Sequence, residues 1–351
     1  MAYTEILTGH DLTAEQWDDQ LFQEYTGQLW WKNLMGTSNQ SVIVVKEDLT
    51  KKPGDAITVG RRGQLVGGKV TGNSTGLGNE GSVAFIGQRI TIDNVRHLVK
   101  VMDIPMSEKR VGFDLLQQVK NALAWAAQKD TDEEITTQLS GTSTGRVRGR
   151  YLYGAVDSNW NATHSTALTN IDNTADQLTT NMMRIAKRKA NLTAGANLGL
   201  VRVYPMKIKS GKAYEEWFVF TGHPLSLRDM FDSDAAWKNA QLNIPPQSNS
   251  DSPLFSGSSF KGAYDGILIY EYERINLVSS TIQVSHNFLL GAQAGAVVWG
   301  QRSKFGEELQ DLGHVVSYEQ HEIRGVAKLV AAESTSEDQG MVHVFAAAVA
   351  D

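Results

Sequence analysis

Ten glycines fall between positions 54 and 87 of this 351-residue chain, and they set the first limit on its fold. Glycine loses the most backbone freedom on ordering, and it brings no side chain to bury in return. The flanks are strand-like, with Ala56-Ile57-Thr58-Val59 before the stretch and Ile90-Thr91-Ile92 at its end. Another strand is expected just upstream, at Val42-Ile43-Val44-Val45. Two strands joined by a long Gly-rich excursion describe an extended hairpin projecting from a body. A loop this long is functional or disordered, and one with so little core of its own needs a partner to order it.

The strongest helical signal follows. Val111, Leu115, Val119, Leu123 and Ala127 repeat every four residues, and Ile135 and Leu139 resume the stripe. Ser107 is placed to cap the start after Pro105, and Gly141 to stop the end. The spacing predicts one helix over 107–140, about 50 Å long and well beyond the usual 10–14 residues, hence a structural axis. A second amphipathic helix is expected at 13–35, with Thr13 and Gln16 forming a capping box. Trp17, Leu21, Tyr25 and Leu29 line one side of it, and Phe22, Trp30, Trp31 and Leu34 widen the stripe. Such aromatic loading has two readings, ordinary core packing or an arm docked on another subunit.

Residues 142–172 read as a polar loop holding Arg146, Arg148 and Arg150. A helix is expected over 173–191, with Leu178, Met182, Ile185 and Ala186 on one face. Strands are expected at 200–204, 217–220 and 266–270, a helix at 225–240, a proline-containing loop at 241–262, and a small-residue helix at 288–299. Mixed strands run to the C-terminus. The class is α+β.

Composition removes several functions. The 33 basic and 39 acidic residues give a net charge of −6, which argues against a strongly basic nucleic-acid binder. Hydrophobic residues make up 41%, so wholesale disorder is excluded. There is no cysteine, hence no disulfide framework, no zinc ribbon and no thiol catalysis. The first residues lack a signal-peptide pattern. The uncharged run between Arg274 and Arg302 is broken by Asn276, Ser279, Ser280, Gln283, Ser285, His286, Asn287 and Gln293. It falls short of the roughly 20 apolar residues of a membrane span and reads as a buried strand and helix.

Catalytic signals are thin. Gly63-Gln64-Leu65-Val66-Gly67-Gly68-Lys69-Val70 nearly spells a phosphate-binding loop. That motif needs Ser or Thr directly after the lysine, with a strand before it and a helix after it. Asp130, Asp132, Glu133 and Glu134 cluster on the long helix and read as a solvated face. The eight histidines are scattered and make no HExxH, and no GxSxG occurs. Arg184, Lys187, Arg188 and Lys189 lie near a helix C-terminus, where cations offset the helix dipole; a phosphate-contacting patch is the sharper reading. No catalytic, cofactor or metal site is expected.

The order of parts, an arm with a helix, a Gly-rich hairpin, a long helix and then mixed helices and strands, resembles the major capsid protein of tailed bacteriophages. The carrying segments lie mostly in the second half. They are Trp217-Phe218-Val219-Phe220-Thr221-Gly222-His223-Pro224, Leu227-Arg228-Asp229, Pro253-Leu254-Phe255-Ser256-Gly257 and Gly262-Ala263-Tyr264-Asp265-Gly266-Ile267-Leu268-Ile269. Leu289-Leu290-Gly291-Ala292-Gln293-Ala294, Glu308-Leu309-Gln310-Asp311-Leu312-Gly313-His314 and Ile323-Arg324-Gly325-Val326-Ala327-Lys328 complete the set. Together they are similar to the large coat proteins of some podophages, over about residues 10–330.

The resemblance implies an N-arm at 1–45, an extended loop with flanking strands at 46–100, and a peripheral domain at 101–172 built on the spine helix. An axial domain at 173–300 would follow, and residues 301–351 would carry strands back to the peripheral domain and a tail. It implies self-assembly into hexamers and pentamers of an icosahedral shell around double-stranded DNA, within the virion and without catalysis. A separate scaffolding protein, a portal, a decoration protein and assembly in the bacterial cytoplasm are further expectations, and no membrane is involved. Trp17, Trp30, Trp31, Arg61, Arg62 and Lys69 are the expected intersubunit contacts, with Lys69 the one lysine between Lys52 and Lys100 available for an isopeptide cross-link. The alternatives are an encapsulin-like shell for protein cargo and a β-rich phage enzyme or adhesin.

Overall fold

The computed structural model describes residues 29–47, 54–102, 115–142, 146–192, 202–210, 213–243, 259–279, 281–330 and 337–349. In chain order the strands are β1 (Met35–Gly36), β2 (Ile43–Lys46), β3 (Ala56–Val66), β4 (Ser82–Thr91) and β5 (Asp93–Met102). Helix α1 (Leu115–Ser140), β6 (Tyr151–Tyr153), α2 (His164–Thr169), α3 (Thr180–Asn191), β7 (Met206–Ser210) and β8 (Ala213–Gly222) follow. Then come α4 (Pro224–Ser233), α5 (Ala235–Asn243), β9 (Phe260–Tyr264), β10 (Ile267–Glu271), β11 (Leu277–Ser279), β12 (Gln283–Leu290), β13 (Gly295–Gln310), β14 (Val315–Lys328) and β15 (Met341–Ala347).

They form a five-stranded sheet in the order β1-β2-β13-β14-β5, an eight-stranded sheet built on β6-β15-β12-β8-β10-β9, and the separate ribbon β3-β4. Strands β12 and β15 at the centre of the larger sheet are buried almost throughout, because both faces are covered. One face meets α3, α4 and α5 through Met182, Met183, Leu227, Met230 and Trp237. The other shares a core with Trp31, Ile135 and Leu139 and with Val297 and Trp299 of the smaller sheet. The last strand, β15, pairs with β6 and β12 in the larger sheet and not with the returning strands β13 and β14.

The long helix is present from Leu115 to Ser140; the expected start, with Ser107 and Val111, lies outside the described residues. Leu123 is 2% exposed and packs with Val316 and Tyr318, while Val119 is half-buried beside them. The stripe therefore faces β14 as the periodicity requires. Leu123→Ala is expected to cost about 2–5 kcal/mol, read as a lower urea midpoint with an unchanged slope. A loss under about 0.5 kcal/mol would be that of an exposed position.

Several local expectations give way. Residues 288–299 form no helix: β12 ends at Leu290, Gly291 begins a turn that passes through Gln293 at φ 58°, and β13 starts at Gly295. A short apolar run reads alike as buried helix or buried strand, and ladder pairing with β2 and β14 decides for strand. The helix expected at 225–240 is two helices, broken at Asp234. One carboxylate oxygen of Asp234 accepts the Ala236 amide at 2.8 Å and the other the Thr180 amide at 2.7 Å, tying the start of α5 to that of α3. The segment 142–172 is no open loop: Arg150 is fully buried, and Tyr151-Leu152-Tyr153 is a buried edge strand of the larger sheet. Residues 202–204, the described part of the strand expected at 200–204, run outside any strand. The part of the expected helix 13–35 up to residue 28, Trp17 included, lies outside the described residues; the chain then makes one 3-10 turn, Trp30–Leu34.

Candidate interaction surfaces

The glycine-rich stretch is the expected hairpin. Strands β3 and β4 pair antiparallel from Ala56↔Thr91 to Arg62↔Phe85, slip at a bulge, and resume at Leu65↔Val83. The ribbon joins no other sheet, and a lone two-stranded ribbon is marginal in water. Its base is held by the body. Ile90 is 3% exposed and packs with Ile57 and Val59 on Val44, Ala296, Val298 and Leu329. The Gln88 side chain donates to the Lys328 carbonyl at 2.8 Å and accepts the Val330 amide at 3.0 Å. Beyond the base support ends: residues 67–80 are all exposed, with Leu77 84% and Phe85 79% open to solvent. Gly68 has φ +79°, and a Cβ there would sit 2.7 Å from the Gly81 backbone nitrogen, so only glycine closes the neck.

Arg61 and Arg62 lie on β3 in register with Ile86 and Phe85, and Lys69 lies exposed in the tip. The segment holding Lys69 runs from a bulged strand into an exposed loop, and the next described helix is α1. No helix N-terminus follows Lys69 to receive a phosphate.

The tryptophans divide. Trp31 is fully buried in its own chain, 4.7 Å from the Trp30 ring and 5.7 Å from Tyr272, and belongs to the core shared by both sheets. This corrects the expectation of an intersubunit contact at Trp31: the site it fills is intramolecular. Trp30 is half-buried, stacks at 4.3 Å on Tyr272 and donates its indole N–H to Ser259. The Trp30 amide donates to Asp132 at 3.3 Å. Burial pushes the Asp132 carboxyl up to about 6, against the pull of that amide.

The acidic cluster on α1 is thus not a solvated face. Asp132 is 1% exposed, and Asp130 and Glu134 both bind Arg324 of β14. Glu133 alone matches the expectation, exposed beside Lys129.

A second exposed surface ends the β13–β14 hairpin. Leu309, Leu312, Met102 and Leu98 are between 56% and 104% exposed. Register puts Met102 opposite Val315 and Leu309 opposite Val316, at the same end of the sheet. Leu312 adopts φ 54° there. The sequence shows Glu308–His314 as a motif but not as part of a surface, since only the register brings β5 beside the turn.

The histidines also pair in a way their spacing hides. His286 Nε2 lies 2.7 Å from His343 Nδ1, His343 Nε2 lies 2.8 Å from Asp338, and Asp338 pairs with Lys328 at 2.7 Å. An ionised Asp338 accepts from His343 Nε2–H, so His343 Nδ1 accepts from His286 Nε2–H. All four side chains are buried, at most 9% exposed, so the chain of hydrogen bonds is closed to substrate and ties β12, β15 and β14 together. The available signal was a histidine inside each of two apolar runs. Among the described residues no three His, Asp or Glu side chains converge as a metal site, and no helix is long and apolar enough to cross a membrane.

A family model described as "Phage capsid protein" matches residues 6–350. No curated protein matches the chain. Among solved structures it is similar to the capsid of Ralstonia phage GP4, with a TM-score of 0.75 at 21% identity over 92% of each chain. The capsid asymmetric unit of cyanophage Pam1 gives 0.74 at 21% identity, also over 92% of each. The acidic stable capsid of Helicobacter pylori bacteriophage KHP30 gives 0.65 at 14% identity over 89% of each.

Proposed function

The chain belongs to the phage capsid protein family, and from that premise we propose how its surfaces build the shell. It is a major capsid protein, a structural component of the icosahedral virion capsid that associates with copies of itself. In our reading the copies form hexamers and pentamers and carry out no catalysis. Double-stranded DNA fills the interior, and a separate scaffolding protein, a portal and a decoration protein complete the head during assembly in the bacterial cytoplasm. The expected domain division stands as part of this reading. Residues 50–95 extend over a neighbour, with Arg61, Arg62 and Lys69 toward it, and Trp17 and Trp30 anchor the arm.

One observation carries the reading. Among the described residues the ribbon is bonded to its own body only at its base, yet it exposes Leu77 and Phe85 beyond that base. Apolar side chains on an unsupported ribbon gain stability only when another surface covers them. The test replaces residues 60–87 with Asn-Gly, a two-residue turn suited to joining Val59 and Gln88, which face each other in register. The shortened subunit is expected to unfold within about 0.5 kcal/mol of the parent, because the docked base is kept. Particles are expected to vanish in electron micrographs. Normal particles would overturn the reading.

A further inference from the structure

Charge along this acidic chain is sharply segregated. Between Asp176 and Glu215 there is no aspartate or glutamate and there are eight lysines and arginines. The net charge of −6 is therefore +8 in this segment set against −14 in all the rest. Among the described residues folding neutralises three of them at home: Lys187 with Asp265 at 3.3 Å, Lys189 with Asp157 at 2.8 Å and Lys207 with Glu216 at 3.2 Å. Arg184, Arg188 and Arg202 are exposed and, among the described residues, meet no carboxylate. Arg202 donates to the side chain of Asn191 at 3.2 Å.

Helix α3 explains the arrangement. Met182, Met183, Ala186 and Ala190 bury one side against the larger sheet. Asn181, Arg184, Arg188 and Asn191 then fall at intervals of three and four along the opposite side. They border an open cleft of about 400 Å³ that also takes in Lys187 and Leu192. The two arginines stand about one turn apart, and Arg188 lies in the helix's last turn, where the backbone dipole favours cations.

The chemistry of the cleft selects its occupant. Its polar side chains are guanidinium, ammonium and amide donors with one carboxylate, Asp265, already paired to Lys187. The only large exposed apolar side chain is Leu192. Contacts between protein copies are anchored by buried aromatic and apolar side chains, with arginine enriched beside them and lysine depleted. Arginines and amides without an apolar anchor suit a hydrated phosphate backbone. We infer that the exposed side of α3, with Arg202, seats the phosphate backbone of duplex nucleic acid without reading its sequence. The inference rests on the shell reading only for the source of that nucleic acid. Acidic surroundings confine the hold to three guanidinium groups, so it is shallow and salt-labile.

The test measures anisotropy of a labelled duplex titrated with unassembled full-length subunit from about 50 to 200 mM salt. Three phosphate contacts give a slope of about −2.7 in log K against log salt. Arg184→Gln/Arg188→Gln/Arg202→Gln is expected to bring that slope near zero and to bind at least about tenfold more weakly at 50 mM salt. Glutamine matches arginine in helix propensity, so circular dichroism should be unchanged. The corresponding triple lysine variant keeps the charge and should keep the slope. A glutamine variant that binds like the parent overturns the inference. So does one that keeps binding but loses particle assembly, since the face would then be a contact between copies. A parent that forms particles but binds no duplex also overturns it and leaves the shell reading intact; duplex binding by a parent that forms no particles does the reverse.

Discussion

Arg324→Met is expected to destabilise the subunit by about 3–5 kcal/mol, the range for stripping one partner from a buried charge network. Arg324 is fully buried, and its guanidinium reaches Glu134 at 2.9 Å, Asp130 and Thr131 on α1, and Glu322 on its own strand. Those bonds clamp the long helix to β14. Glu322 is 1% exposed, and burial already pushes its carboxyl above the ordinary glutamate value against the pull of Arg324. Without the guanidinium it must stay charged and unpaired or take up a proton. Asp130 and Glu134 are partly exposed, so water can replace the arginine there. The double variant Arg324→Met/Glu322→Leu should therefore regain most of the loss, because apolar groups of similar size often replace a buried ion pair at little cost. Urea midpoints of parent, single and double variants decide it. A single variant within about 1 kcal/mol of the parent would show that the network carries no such cost.

Asp338→Asn is expected to cost a similar amount, about 3–5 kcal/mol, because it leaves Lys328 charged and buried without its carboxylate. The same network sets an acid limit. Burial holds His286 well below the ordinary histidine value, and the charge of His343 adds to it. Burial also lowers His343, against the pull of Asp338. A histidine depressed on folding gives stability that is complete above the unfolded value, near 6.5, and is lost as pH falls, because the unfolded chain takes the proton first. Burial raises the Asp338 carboxyl, but His343 and Lys328 together outweigh it and hold it below the usual aspartate value, so its share is lost only below about pH 4. Asp132, raised to about 6, acts in the opposite sense and softens the decline between about pH 4 and 6.

His286→Gln isolates the histidine part. Glutamine keeps a donor for His343 but loses the ring stacked 4.2 Å from Phe345, so the variant should be less stable at pH 7.5. It has no proton to gain, and its deficit should shrink by up to about 1.4 kcal/mol per pH unit below 6.5. Parallel pH profiles of parent and variant would discard the protonation account.

What was legible in the sequence is what a short window of side chains dictates. Nine glycines between two β-branched flanks specify a projecting hairpin whatever the rest of the chain does. Val119 and Leu123 mark the buried side of α1 because the helix repeat puts every fourth residue on one face. Trp217-Phe218-Val219-Phe220 and Ile267-Leu268-Ile269 read as strands, and in the fold they lie side by side in parallel. The order of such parts sufficed for the resemblance to phage capsid proteins. What the window could not hold is the partner of each polar or aromatic side chain. His286 and His343 are 57 residues apart and meet only because β12 and β15 pair with His286 opposite Phe345 and Phe288 opposite His343. Arg324 and Glu134 are 190 residues apart, so an acidic helix face that spacing marks as solvated becomes half of a clamp. Trp31 is drawn into the shared core for the same reason, and 288–299 becomes strand, turn and strand because neighbouring strands offer ladder bonds to a run that suits helix as well. Periodicity fixes which face of an element is apolar, because it is a property of a few consecutive residues. The tertiary structure alone decides what covers that face, because register and pairing are settled by contacts between residues tens to hundreds of positions apart.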